Sequence, residues 1–262
     1  MDVRQSLKDV LYRLYEVRLL AGIRRRPVPS HLGLIQDGHR RYARQAGLSN
    51  LEGYRLGADK AREVLTWCAD LKVPMVSLWW LSTENLARES ADVAAVLRVI
   101  DEKVTEWLED GLARRLQIRI RPIGKLDLLP ATTLEVLERA EALTREHDGI
   151  LLNVGVGYGG RQEIVDAMAG YLSDHWSRGS SPEDILRDLT PDMVDKYLYT
   201  QDCPDPDLII RTSGEVRLSG FMLWQSAYSE YYFCDAYWPA FRKVDFLRAI
   251  RNYQDRNRRF GK

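Results

Sequence analysis

The chain has 262 residues, of which 45% are hydrophobic and 29% charged, a globular composition able to bury a large core and unlike that of a disordered chain. Lysine plus arginine and aspartate plus glutamate each number 38, so the net charge is zero, which argues against a general nucleic-acid binder. The three cysteines, Cys68, Cys203 and Cys234, are far apart and form no zinc or disulfide framework, no apolar run reaches the roughly 18 residues of a membrane span, and the first residues lead into charge; the expectation is a soluble cytoplasmic protein with reduced thiols.

Along the chain, residues 5–21 place Leu7, Val10, Leu11, Leu14, Val17 and Leu20 at helical spacing, which predicts an amphipathic helix. It ends near Gly22, and Arg24-Arg25-Arg26 lead to Pro27 and Pro29. Residues 1–30 are therefore read as a helix and basic loop packed on the body, with at most peripheral membrane contact. Apolar strands are predicted at 31–36, 75–81, 118–123, 150–156 and 208–210, with a sixth at 231–233. Helical periodicity marks 53–71, 91–112, 131–146, 161–173 and 246–258. No Pro/Gly/Ser-rich linker divides the chain, and its most polar stretch, 177–184, lies between helices.

Strands alternating with helices imply an α/β fold, a single domain over 31–262 whose mainly parallel, about six-stranded sheet is flanked by helices. In such sheets ligands collect beyond the carboxyl ends of the strands. The chemistry-bearing residues follow strands here. Asp37-Gly38-His39-Arg40-Arg41 comes after the first, Ser82-Thr83-Glu84-Asn85-Leu86-Ala87-Arg88 after the second, Gly157-Tyr158-Gly159-Gly160-Arg161 after the fourth, and Arg211 through Ser219 after the fifth. Arginine forks and exposed backbone N–H groups hold phosphate oxygens. Four such ends together point to an anionic ligand with more than one phosphate. Taken singly, Asp37-Gly38 is an ordinary turn, Arg217 a surface ion-pair partner and His31 a structural histidine. The loop at 157–160 has neither GxGxxG nor P-loop spacing, so a dinucleotide site is not expected.

These motifs resemble those of the cis-prenyltransferases, the undecaprenyl diphosphate synthase family. Its Asp-Gly-Asn-x-Arg-Trp-Ala motif is matched from Asp37 to Ala43, and its Ser-x-Glu-Asn-x-x-Arg motif from Ser82 to Arg88. The Asp-Leu-x-Ile-Arg-Thr-x-Gly-Glu-x-Arg-x-Ser motif runs from Asp207 to Ser219, Phe-x-Leu-Trp-Gln-x-x-Tyr-x-Glu from Phe221 to Glu230, and the closing Arg-x-Gly is Arg259-Phe260-Gly261. The resemblance implies a homodimeric, Mg²⁺-dependent transferase of isoprenoid biosynthesis with an undecaprenyl diphosphate synthase-like fold, in which 31–262 is the catalytic domain. It would join a short allylic diphosphate, dimethylallyl or geranyl, to a second C5 diphosphate with release of diphosphate.

By motif position, Asp37 is then the metal ligand and electrostatic centre, with Glu230 completing the metal site and Asn85 in a catalytic role. Gly38, Arg40, Arg41 and Arg88 would hold the first diphosphate, with Tyr54 and Ser82 beside them. Arg211, Arg217 and Ser219 would hold the second, and Arg259 and Gly261 would reach the partner's second-diphosphate site.

The chain departs from the family pattern at His39 for Asn, Tyr42 for Trp, Asn50 for Arg, Tyr54 for His, Leu86 for an aromatic and Val216 for His. These positions surround both diphosphate sites, so the second substrate stays open. One alternative is irregular head-to-middle coupling, with dimethylallyl diphosphate as second substrate and His39 removing the proton, to give a lavandulyl-type diphosphate. There the bland reading is that His39 merely replaces Asn's hydrogen bonds. Another is a non-catalytic partner subunit, which the retained Asp37 and Glu230 oppose. In the strand Leu78-Trp79-Trp80-Leu81, Trp80 stands where long-chain members have a small residue. An indole there would overpack a long-chain tunnel and stop the product at about two or three isoprene units; ordinary core packing is the bland alternative.

Overall fold

The computed structural model of the chain describes Tyr12 and residues 15–256. Helix α1 spans 15–23, so the described part of the expected N-terminal helix is present and runs through Gly22. Strand β1 (His31–Ile35) is buried along its whole length. A short helix not expected from the sequence, α2 (His39–Gln45), follows it directly. Helix α3 (Asn50–Leu71) starts earlier than its apolar periodicity suggests, because Ser49 and Glu52 form a reciprocal capping box at its N-terminus.

Strand β2 (Met75–Ser82) ends where the Ser82 hydroxyl accepts the backbone N–H of Asn85 and starts the one-turn helix α4 (Thr83–Leu86). Then come α5 (Ser90–Glu109), α6 (Leu112–Arg115), β3 (Ile118–Ile123), α7 (Ala131–Thr144), β4 (Ile150–Tyr158) and α8 (Gly160–Ser177). Two short helices, α9 (Pro182–Asp188) and α10 (Pro191–Asp195), are each launched by a hydroxyl cap followed by proline, from Ser181 and Thr190. The described chain closes with β5 (Leu208–Arg211), β6 (Glu230–Phe233) and α11 (Lys243–Asp255).

The six strands form one sheet in the order β3-β4-β2-β1-β5-β6. Every neighbouring pair is parallel. On one face, side chains including Leu34, Leu78, Leu152 and Ile210 pack with Val64, Leu65, Ile100, Trp107 and Leu247 into the main core. Helices α3, α5 and α7 lie side by side on it. The other face carries a smaller cluster of Ile35, Ile123, Tyr158, Ile209, Phe221 and Met222. No described helix is long and apolar enough to cross a membrane.

His31 is fully buried, as a structural histidine should be. Its Nδ1 meets the Pro204 carbonyl at 2.7 Å and its Nε2 the Ser77 hydroxyl at 2.7 Å. Burial pushes its pKa down to about 4.

From β1 the chain moves to β2 on one side, whereas β5 pairs with β1 on the other and leads away to β6. The crevice between the carboxyl ends of β1 and β5 is therefore the place where the strand order reverses, and such a crevice is where ligands bind in open α/β sheets.

Candidate active site

Asp37 lies two residues past β1, at that crevice. One carboxylate oxygen accepts from Arg211 Nη2 at 2.8 Å and the other from Arg41 Nη2 at 3.1 Å. Burial opposes ionisation of this carboxyl, but the hydrogen bonds and charges of Arg211 and Arg41 outweigh it and hold the pKa below the ordinary carboxylate value. The Asp37 backbone is fixed by Thr212, which is fully buried. The Thr212 hydroxyl accepts from Asp37 N at 3.0 Å and donates to the Asp37 carbonyl at 2.8 Å.

Gly38 has φ of 105°, and a Cβ there would stand 2.7 Å from the Tyr237 ring, so glycine is required both for the turn and for the approach of Tyr237. The turn delivers α2 with its first N–H groups open, since the carbonyls four residues before them lie outside the helix. Arg41, one turn into α2, also donates to Glu215 at 2.8 Å and to the Ser213 hydroxyl at 2.7 Å, and lies over the Tyr237 ring at 5.5 Å.

Arg211, the last residue of β5, is only 3% exposed. Its Nη1 donates to the Arg217 carbonyl at 2.5 Å and the Ser219 hydroxyl at 2.7 Å. It thus folds the 213–219 loop back over the strand end. Ser219 occupies the left-handed region at φ 52°, a conformation of a non-glycine residue that local structure must enforce. Arg217 pairs with Glu215, but its side chain remains 58% exposed toward solvent, placed to meet a ligand.

These groups line a cavity of about 630 Å³ whose lining is both polar and apolar. Asp37, Gly38, His39, Arg40, Arg41, Tyr54, Ser82, Asn85, Arg88, Arg211, Arg217 and Ser219 supply the polar groups. Trp80 of β2, Ala58 of α3, and Val96, Val99 and Ile100 of α5 supply apolar surface. The structure thus brings the expected residues Asp37, Gly38, His39, Arg40, Arg41, Tyr54, Trp80, Ser82, Asn85, Arg88, Arg211, Arg217 and Ser219 into one space, whereas Ala58, Val96, Val99 and Ile100 are not among those expected at the site. Trp79 and Trp80 part to opposite sides of β2, as alternation requires. Trp79 stacks on Phe221 at 5.3 Å and donates to the Tyr158 carbonyl, while Trp80 meets Trp107 edge-on at 5.4 Å.

His39 sits on Gly57 of α3, so closely that a Cβ on Gly57 would stand 2.1 Å from Nε2. Burial pushes the imidazole down to about 4, against the pull of the Asp37 charge. The ring is neutral at pH 7, and its nitrogens have no hydrogen-bond partner among the described residues. Arg40 and Arg88 both face Asp92, the first-turn carboxylate of α5.

Glu230 stands apart from the cavity within one chain. It opens β6 opposite Leu208, three residues before the Arg211 level, or about 10 Å down the sheet at the usual rise. Its carboxylate pairs with Arg256. Within one chain it does not join Asp37, because the motif order puts both residues next to β5 but at opposite ends of it. Arg259 and Gly261 lie outside the described residues.

Sequence reasoning missed Thr212, Ser213, Glu215, Tyr237 and Asp92. The first three stand inside a motif already recognised by type, which was the available signal. Tyr237 carries none, since it reaches Gly38 from beyond β6. Among the described residues no three His, Cys, Asp or Glu side chains cluster as a ready metal cage. Asp37, Glu84 and Glu215 bring carboxylates to the cavity lining beside cations suited to phosphate, and Asp37 sits between Arg211 and Arg41. That donor set fits Mg²⁺, which is commonly held by one or two carboxylates together with substrate phosphates.

Residues 35–261 match the prenyltransferase family described as undecaprenyl diphosphate synthase. An isoprenyl transferase of Deinococcus radiodurans is 49% identical over 261 residues, covering 99% of this chain and 95% of its own. The (2Z,6E)-farnesyl diphosphate synthase of Thermobifida fusca is 50% identical over 256 residues, covering 97% of this chain and 98% of its own. Among solved structures, lavandulyl diphosphate synthase from Lavandula x intermedia, in complex with dimethylallyl diphosphate, aligns with a TM-score of 0.83 at 30% identity over 90% of this chain and 99% of that one.

Proposed function

The chain belongs to the undecaprenyl diphosphate synthase family and is a prenyl-transferring enzyme, and from that premise we propose that it joins dimethylallyl or geranyl diphosphate to isopentenyl diphosphate, giving a short Z-prenyl diphosphate. The observation that carries this is one cavity lined by both arginines and apolar side chains. That pairing suits a molecule with a diphosphate head and a short hydrocarbon tail, and the names of the relatives are in line with it.

In this reading Gly38, Arg40, Arg41 and Arg88 hold the allylic diphosphate, and its tail enters between α3 and α5 as far as Trp80. Arg211, Arg217 and Ser219 hold the second diphosphate. Cleaving the allylic C–O bond leaves negative charge on the departing diphosphate, and the fixed guanidinium groups stabilise that charge as it develops. Mg²⁺, held by Asp37, would add Lewis-acid stabilisation of the same oxygens. The new bond forms between the allylic carbon and the terminal alkene carbon of the second substrate, which then loses a proton. Neutral His39, with its lowered pKa, is a weak acceptor for that proton and serves as a hydrogen-bonding wall. The leaving diphosphate is the stronger base nearby. Asn85 and Ser82, at the mouth of α4, orient the second substrate. The active unit is a homodimer in which Arg259 and Gly261 of one copy complete the other's second-diphosphate site.

The likeness to a synthase bound to dimethylallyl diphosphate favours one second reading, irregular coupling with dimethylallyl diphosphate in both sites. One assay tests both. Purified protein is incubated with dimethylallyl or geranyl diphosphate, with and without isopentenyl diphosphate and Mg²⁺, and the products are identified by mass spectrometry. Short linear products that require isopentenyl diphosphate and Mg²⁺ support the first reading. Products formed from dimethylallyl diphosphate alone establish the second, and no turnover under any condition refutes both in favour of a non-catalytic subunit.

A further inference from the structure

Asp92 sits in the first turn of α5 with its side chain 11% exposed. One oxygen is well anchored, accepting from Tyr54 OH at 2.9 Å and from Asn50 Nδ2 at 3.1 Å, both on α3. The other oxygen is buried and has no hydrogen-bond partner among the described residues. It is faced instead by two guanidinium groups, Arg40 Nη1 at 3.5 Å and Arg88 Nη1 at 3.7 Å. Those separations are longer than a charge-assisted hydrogen bond. Arg40 comes from α2, Arg88 from the turn after α4, and their side chains are 49% and 32% exposed. The carboxylate is thus hydrogen-bonded on one side and paired at longer range on the other, with two partly exposed guanidinium groups.

We propose that Asp92 is a resident counter-anion of the first diphosphate site, from which an incoming diphosphate must take Arg40 and Arg88. This rests on the reading of those two arginines as diphosphate ligands. The exchange needs no rebuilding of the site, because Tyr54 and Asn50 retain Asp92 after the arginines turn away. The same two residues stand where the family motif would supply Arg and His, so in this chain those positions hold a carboxylate. The consequence is a site that binds diphosphate only moderately and releases it readily after each condensation. Asp92 acts through the arginines and is a positioning residue for the proposed chemistry.

The test is binding of inorganic diphosphate, with Mg²⁺, to the full chain and to Asp92→Asn by calorimetry. The Asn variant keeps an acceptor for Tyr54 and Asn50 but removes the competing charge. Its dissociation constant should fall about tenfold, equal to about 1.4 kcal/mol, with kcat lowered as product release slows and KM for the allylic diphosphate lowered with it. Equal or weaker binding by a folded variant overturns the proposal while leaving the function intact. Failure of the wild-type chain to bind diphosphate at all overturns the underlying reading of the site, and the proposal with it. A second measurement needs no change at Asp92. The Nε–H resonances of Arg40 and Arg88, identified by Arg→Lys substitution, should both shift when diphosphate is added to the wild-type protein. Either signal staying in place refutes the exchange.

Discussion

Replacing Trp80 by alanine tests whether this indole ends the substrate cavity. The ring lies between β2 and α5, edge-on to Trp107, with Val96, Val99 and Ile100 in the same cavity lining. Trp107 is 1% exposed, so it would lose an aromatic partner worth about 0.5–1.5 kcal/mol. Trp80 itself borders open space and is only partly buried, so the total cost should fall near the lower end of the Trp→Ala range, about 3 kcal/mol. The protein should remain folded with a lower Tm. The vacated volume adjoins the apolar lining of the cavity. If a further five-carbon unit is desolvated there at about 0.8 kcal/mol per carbon, its binding gains about 3–4 kcal/mol. A gain of that size would shift the product distribution by more than tenfold per added unit. Products made with labelled isopentenyl diphosphate can be dephosphorylated and resolved by chain length, with thermal unfolding as the control. Chains longer by at least one unit, or acceptance of a longer allylic starter, are expected. A folded variant whose product lengths and starter preference both match the wild type would show that Trp80 does not end the tunnel.

Thr212→Val preserves shape but removes one hydrogen bond from each backbone group of Asp37, leaving those to the Ile35 carbonyl and from Trp238 N, and should cost about 0.5–1.5 kcal/mol in urea unfolding together with a fall in kcat; wild-type values in both would show that the hydroxyl does not hold Asp37. His31, ordinarily near 6.5, is held down to about 4, so the unfolded chain binds the extra proton and the fold is weakened as pH drops from about 6.5 toward 4, by about 2 kcal/mol at pH 5. His31→Gln should remove that part of the acid sensitivity, and unfolding curves equally pH-dependent with and without His31 would contradict the assignment. His39→Asn should leave both the product pattern and the pH dependence of kcat through the neutral range unchanged, because the imidazole is already neutral there; a changed product pattern would assign proton removal to His39.

The strands were legible because each is a short apolar run bounded by turns, and the parallel order of β1 to β5 followed from the helices between them, whereas β6 joins in parallel through a segment without a helix. The clustering of Asp37, Ser82, Asn85, Arg88 and Arg211 was legible for the same reason, since residues that follow parallel strands share one end of the sheet. Helix α2 was not, because His39-Arg40-Arg41-Tyr42-Ala43-Arg44-Gln45 has no apolar stripe and depends on the Gly38 turn and on packing against α3. The separation of Glu230 from Asp37 within one chain has a different origin. A motif fixes residue type and order, but the 213–229 segment returns the chain to the start of the sheet before β6 begins. Asp92 reads in sequence as an ordinary acidic residue favourable to a helix N-terminus, and only the approach of α2, α3 and α4 to that turn shows what it touches.

The pairing of Asp37 with Arg211 spans 174 residues of sequence, and it joins β1, the first strand of the described residues, to β5, laid down only after nine helices and three further strands have intervened. Closing so long a loop is slow relative to forming local contacts. The central region from β2 to β4 can collapse on α5 and α7 without this contact, since those elements are near one another in the chain. In refolding, helical signal and burial of the main core should therefore return ahead of β5 docking, and catalytic competence should return only with it. The active site is thus also a reporter of completed topology: a species with native-like helix content and no turnover marks a chain whose β1–β5 seam is still open.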